Sequence, residues 1–166
     1  MSVRNDVEGA LTEIIKEHYP DCEMVMGTST AGIAHAALVA ERLDLPMGYV
    51  RSSSKDHGRN NKIEGKCEPG TKVVVVEDLI STGGSCIDVV ESLREADAEV
   101  LGVASIFTYG MKKSEERLSE ANVKNVSASN VDVLVEVAAA EGYIKAEDKE
   151  KILKFRDNPQ DESWIS

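Results

Sequence analysis

The residues best equipped for chemistry lie together at Glu77-Asp78-Leu79-Ile80-Ser81-Thr82-Gly83-Gly84-Ser85. Two glycines let the backbone turn tightly, and hydroxyls and amides face outward. A helix starting at Ser85 adds N-terminal N–H groups, so the segment can cradle a phosphate. The two carboxylates would repel that phosphate if they faced it. They must address something else, either sugar hydroxyls or a divalent metal. A ribose 5-phosphate satisfies both halves. An isolated acidic pair at a strand end would read as ordinary solvated surface; acids, hydroxyls, glycines and a helix start in one run do not. No G-x-x-x-x-G-K-[ST] and no G-x-G-x-x-G occurs, which disfavours nucleoside triphosphatases and dinucleotide enzymes.

A second feature precedes it. The 166-residue chain carries a net charge of -11, yet residues 51–66 hold Arg51, Lys55, Arg59, Lys62 and Lys66 against only Asp56 and Glu64. This local reversal suits an anion whose charge grows during reaction, and a closing cationic loop could meet it while excluding water. His57 could add a hydrogen bond or a proton. His18 and His35 have no such context and read as packing or surface residues. The small-residue turn Gly27-Thr28-Ser29-Thr30-Ala31-Gly32 is weak evidence by itself.

The elements that must position these groups follow from periodicity. Helices are expected at Val7 to His18 (capped by Asn5 or Asp6 and closed by Pro20), Ile33 to Leu43, Ser85 to Glu95, Ser114 to Ala121, Val131 to Glu141 and Glu147 to Arg156. Strands are expected at Glu23 to Gly27, Met47 to Val50, Val73 to Val76, Val100 to Phe107 and, at an edge, Val123 to Val126. The four valines are apolar on both faces, as in the centre of a covered parallel sheet. The alternation predicts a three-layer α/β fold, a mostly parallel central sheet with helices on both faces, in a single domain over 1–166. Ser52 to Gly70, nearly devoid of large apolar residues, reads as a long functional loop.

Acidity disfavours nucleic acid and anionic membranes as partners. No apolar run approaches the ~20 residues of a membrane span, and no secretory leader is apparent, so a cytoplasmic protein is expected. Cys22, Cys67 and Cys86 are odd in number and widely spaced, arguing against disulfides or a zinc site.

Four valines followed by Glu77 to Ser85 resemble the phosphoribosyl pyrophosphate motif of the type I phosphoribosyltransferases. Upstream, Tyr49-Val50-Arg51-Ser52-Ser53-Ser54-Lys55-Asp56-His57-Gly58 is similar to the mobile catalytic loop of the orotate phosphoribosyltransferases. The likeness extends through Gly102 to Tyr109 and Glu141-Gly142-Tyr143-Ile144 to Trp164. It implies transfer of phosphoribose from 5-phosphoribosyl 1-pyrophosphate to orotate with Mg2+, in a homodimer whose loops serve neighbouring sites. It also implies roles: Glu77 and Asp78 on ribose hydroxyls or metal (Asp78 as the metal ligand), Leu79 to Ser85 on the 5-phosphate, and Ser81 also on orotate. Thr28 and its neighbours would grip the leaving pyrophosphate, over which Arg51, Lys55 and His57 would close. Lys55, His57 and Asp78 are the expected catalytic residues. The sequence begins at the helix that follows the family's N-terminal hood, and Ser52 and Ala31 stand where some relatives carry Lys. Two alternatives therefore stay open: a phosphoribosyltransferase with another acceptor base, and a non-catalytic phosphoribosyl pyrophosphate-binding regulator.

Overall fold

Val73, Val74, Val75 and Val76 are fully buried and belong to β4 (Lys72–Ile80), the strand around which the computed structural model is built. The structure describes residues 1–51 and 62–160. Each fully buried valine stabilises by roughly 1.5–3 kcal/mol, and alternation sends successive ones to opposite layers. Val74 and Val76 belong to the core cluster that holds Leu11, Ile15, Val39 and Ala40, and Val73 and Val75 to the one that holds Met26, Val90, Leu93 and Val103.

Along the chain follow α1 (Ser2–His18), β1 (Met24–Thr28), α2 (Ala31–Leu43), β2 (Met47–Val50) and β3 (Ile63–Glu64). After β4 come α3 (Gly84–Glu95), β5 (Glu99–Thr108), α4 (Lys112–Glu120), β6 (Asn125–Asn130), α5 (Val131–Ala140) and α6 (Asp148–Asp157). The sheet order is β3-β2-β1-β4-β5-β6, parallel throughout except for the antiparallel β2–β3 pair. Residues of α1 and α2 build the core on one face and residues of α3 and α4 that on the other, as expected of a three-layer α/β protein. Among the described residues no helix is long and apolar enough to cross a membrane.

Several boundaries differ from the sequence reading, and β3 falls within the stretch read as a long loop; three differences matter most. Helix α1 begins at Ser2, so Asn5 and Asp6 lie inside it rather than capping it. Strand β4 runs on to Ile80 because β5 keeps pairing with it through Glu77↔Ser105, Leu79↔Phe107 and Ile80↔Thr108, a tertiary constraint that periodicity does not carry. The edge strand is Asn125–Asn130, and the Asn130 side chain accepts from the Val133 N–H (3.0 Å) to cap α5.

Glycine fixes two close approaches. A Cβ on Gly32 would run into the Thr28 side chain and lie 2.5 Å from the Val76 carbonyl oxygen, so only glycine lets α2 start against both central strands. A Cβ on Gly102 would sit 2.5 Å from the Tyr19 ring and 2.7 Å from the Lys124 carbonyl oxygen. The Tyr19 hydroxyl there donates to the Val103 and Lys124 carbonyls (both 3.1 Å), tying the end of α1 to the β5–β6 seam. Gly102→Ala must therefore displace that contact, and urea denaturation should show a loss of about 1–3 kcal/mol, the usual cost of overpacking.

Candidate functional site

Parallel strands deliver their carboxyl ends to one edge, and there β1, β2 and β4 release the three segments singled out by sequence. Glu77 is the first polar residue of β4 after the valines. It is only 5% exposed, because its neighbours on both sides are still inside the sheet. Its Oε1 accepts from the Thr28 hydroxyl at 2.7 Å and from the Asp78 N–H at 3.0 Å. Thr28, itself buried, also lies 3.3 Å from the Val76 carbonyl, so its side chain supports Glu77 across the β1–β4 pair.

Burial, reinforced by hydrogen bonding and repulsion from the adjacent Asp78 carboxyl, pushes Glu77 up to about 7. Thus two acids at the strand end compete for one region of space, and one is poised to hold a proton at neutral pH. Such a pair favours any ligand that brings hydroxyls or a cation between them. Cys86, beneath the turn, is pushed up to about 12 by burial and by Glu77, so it is a thiol rather than a nucleophile.

The turn after β4 is shorter than the sequence suggests. Ile80 is 1% exposed and packs in the core, and its carbonyl accepts from the Tyr109 N–H at 3.0 Å. Leu79 is partly exposed at 38%. The turn proper is Ser81, Thr82 and Gly83, with Gly83 in the left-handed region (φ 77°) as the residue before α3. The first intrahelical bond runs from the Ile87 N–H to the Gly83 carbonyl (3.1 Å). The N–H groups of Gly84, Ser85 and Cys86 therefore lack partners four residues back and present the positive end of the helix.

Beside this turn, Thr28, Ser29, Val50, Arg51, Lys62 and Ser85 line much of a cavity of about 100 Å3. The Ser29 hydroxyl donates to the Val50 carbonyl (2.6 Å), and the Ser29–Thr30 peptide is cis. The Arg51 guanidinium reaches Glu64 at 3.5 Å, while the Arg51 N–H donates to the Lys62 carbonyl at 2.8 Å. Sequence reasoning counted Lys62 only as part of the charge reversal; the short β2–β3 pairing is what brings it back to Arg51. Lys55 and His57 lie outside the described residues. The structure therefore brings together Thr28, Arg51, Glu77, Asp78, Ser81, Thr82, Gly83, Gly84 and Ser85 at one edge, with Ile80 turned into the core.

Among the described residues no three metal-ligating side chains converge. Glu77 and Asp78 can offer carboxylate oxygens to Mg2+, whose remaining oxygen ligands must come from substrate and water, as is usual for that ion. The chain's own pair thus fits a metal that arrives with a ligand.

The raised Glu77 has a consequence for stability. Its folded value of about 7 exceeds the unfolded 4.5, so its protonation contributes stability that is complete below pH 4.5 and lost as pH rises through about 7. Thermal denaturation of ligand-free protein from pH 4.5 to 8 should show wild type losing up to about 3 kcal/mol relative to Glu77→Gln across that window. Parallel curves would mean that Glu77 titrates normally.

Comparison with known proteins agrees with this geometry. The family model described as "Phosphoribosyl transferase domain" matches residues 2–141. An orotate phosphoribosyltransferase of Bacillus cereus (strain G9842) is 56% identical over 164 residues, covering 99% of this chain and 78% of that protein. The crystal structure of orotate phosphoribosyltransferase from Aeropyrum pernix superposes with a TM-score of 0.75 at 30% identity, over 86% of this chain and 78% of that one. Leishmania donovani UMP synthase shares the fold with a TM-score of 0.80 at 19% identity, over 93% of this chain and 33% of that one. With two carboxyls, a glycine turn and a helix start at the end of β4, and with these relatives, the chain belongs to the phosphoribosyl transferase family, among the orotate phosphoribosyltransferases.

Proposed function

We propose that this chain transfers the phosphoribosyl group of 5-phosphoribosyl 1-pyrophosphate to orotate, giving orotidine 5'-phosphate and pyrophosphate in the biosynthesis of UMP. The observation that carries the reading is the buried Glu77 beside Asp78, at the end of the strand that leads into the N-terminus of α3. No other pairing of acids with a helix start on the same strand end is needed to seat both halves of a ribose 5-phosphate.

In this reading the amides and hydroxyls of Ser81 to Ser85 hold the 5-phosphate, with Leu79 flanking it. Glu77 and Asp78 accept hydrogen bonds from the ribose hydroxyls. Bound Mg2+, with Asp78 as its protein ligand, would offset the negative charge of the donor. Ser81, exposed at the mouth of the turn, reaches the pyrimidine. A bond forms between a ring nitrogen of orotate and ribose C1 as the bond from C1 to pyrophosphate oxygen breaks. The leaving group takes the electron pair, and the ring nitrogen gives its proton to the departing pyrophosphate or to water.

Charge therefore shifts from the ribose, which becomes cationic in character, to the pyrophosphate. Buried Glu77 and Asp78 stabilise the first, while Arg51 and Lys62, with the Thr28–Ser29 turn, bind the second. Lys55 and His57 add charge and hydrogen bonds to the leaving pyrophosphate from the neighbouring subunit of a homodimer. The single domain works in the cytoplasm on small molecules, with no nucleic acid or membrane partner.

Loss of orotate absorbance should require both the donor and Mg2+. Inert orotate with turnover of uracil or a purine would reassign the acceptor, and no turnover with any base would leave only a binding protein. Lys55→Ala should lower kcat by about a hundredfold while donor affinity changes several-fold, as for a contact made mainly in the transition state. Equal losses in both would place Lys55 in ground-state binding.

A further inference from the structure

The phosphate turn is supported from below by α4, which none of the roles above uses. A Cβ on Gly83 would lie 3.8 Å from the Ser114 Cβ and the Leu118 Cγ, so the turn rests directly on that helix. Ser114 and Leu118 are buried, and Ser114 closes the start of α4 by donating to the Met111 carbonyl at 2.7 Å. One turn further along, half-buried Arg117 stretches back: its Nη1 donates to the Thr82 carbonyl at 3.3 Å and would lie 3.6 Å from a Cβ on Gly84.

We infer that Arg117 is a positioning residue for phosphate binding, holding the Thr82–Gly83 peptide so that its N–H faces the ligand. In a trans peptide the C=O and the following N–H point in opposite directions. With the Thr82 carbonyl drawn toward Arg117 on α4, the Gly83 N–H is aimed away from α4. Glycine at 83 tolerates the left-handed conformation the turn needs, and for the same reason it would let this peptide flip at little cost. A flip would turn a carbonyl oxygen toward the phosphate, exchanging a donor for a repulsive acceptor. The guanidinium removes that alternative, because flipping would break a charge-assisted hydrogen bond.

Arg117 also fronts a groove of about 410 Å3 between α3 and α4, lined by Asp88, Glu91 and Glu120 among others. In that acidic setting the cation is the exception, and its bond is to the turn. The inference rests on the sugar-phosphate reading of the β4–α3 turn and adds to it a residue that never touches the ligand.

Calorimetry with Mg2+ present separates the possibilities, using ribose 5-phosphate, which engages the turn, and inorganic pyrophosphate, which engages the Thr28–Arg51 cavity. Arg117→Ala should weaken ribose 5-phosphate roughly tenfold, the order expected for losing one charged hydrogen bond. Pyrophosphate affinity and melting temperature should be unchanged. Glu120→Gln, which alters the charge of the same groove without touching Thr82, should match wild type for both ligands.

Undiminished ribose 5-phosphate binding by Arg117→Ala would overturn the inference. So would an equal loss for pyrophosphate, or the same loss in Glu120→Gln. If Arg117→Ala does not fold, Arg117→Lys, which keeps one donor without the guanidinium fork, should show a smaller loss confined to ribose 5-phosphate; no such loss overturns the inference. Wild type that fails to bind ribose 5-phosphate would bring down the function reading as well, whereas wild-type binding with an unaffected Arg117→Ala condemns only the role of Arg117.

Discussion

A 2.7 Å hydrogen bond between the Thr28 hydroxyl and the Glu77 carboxyl joins the two central strands at the edge where both release their loops. Much of the site's geometry follows from it. Thr28 is the last residue of β1 and leads into the Ser29–Thr30 turn, while Glu77 precedes Asp78 and the phosphate turn. Fixing one against the other sets the spacing between the turns that follow β1 and β4. Gly32 makes this possible, since any side chain there would collide with Thr28 and the Val76 carbonyl. The buried acid is costly to ionise, and its partner hydroxyl and the Asp78 N–H offset only part of that cost.

The electrostatic design resolves a conflict stated by composition. A chain of net charge -11 must hold a highly anionic substrate. In the proposed reading it does so without neutralising the protein: backbone N–H groups and a helix terminus would take one phosphate and a short cationic stretch the other. Arg51 and Lys62 are brought together by the β2–β3 pair, and the Arg51–Glu64 contact keeps that arginine from being wholly unopposed before ligand arrives. In that reading the carboxyls would face the part of the substrate that turns cationic, so that opposite charges line opposite sides of the bond that breaks.

Much of this was legible in the sequence, and what was not has identifiable causes. Four consecutive valines announce a strand buried on both faces, and glycines after acids announce a turn into a helix. Both features are local, so both can be read residue by residue. The length of β4 was misread because pairing with β5, not composition, carries it to Ile80, and with it the side chain of Ile80 goes into the core instead of the cradle. The engagement of Thr28 with Glu77, 49 residues apart, depends on β1 and β4 being neighbours. Nothing in the local pattern at Thr28 states that. Arg117 escaped notice for a similar reason: on α4 it reads as one more charged surface residue, and only the packing of that helix under the turn gives it a partner in Thr82.

The proposed chemistry depends on the β4–α3 turn being the seat of a sugar phosphate. Amide NMR spectra recorded while ribose 5-phosphate is added, with Mg2+ present, test that most directly. The largest shifts should fall on the N–H groups of Ser81 to Ser85 and on Asp78, with α5 and α6 unmoved. Shifts confined to other parts of the chain, or none at all at saturating ligand, would contradict it.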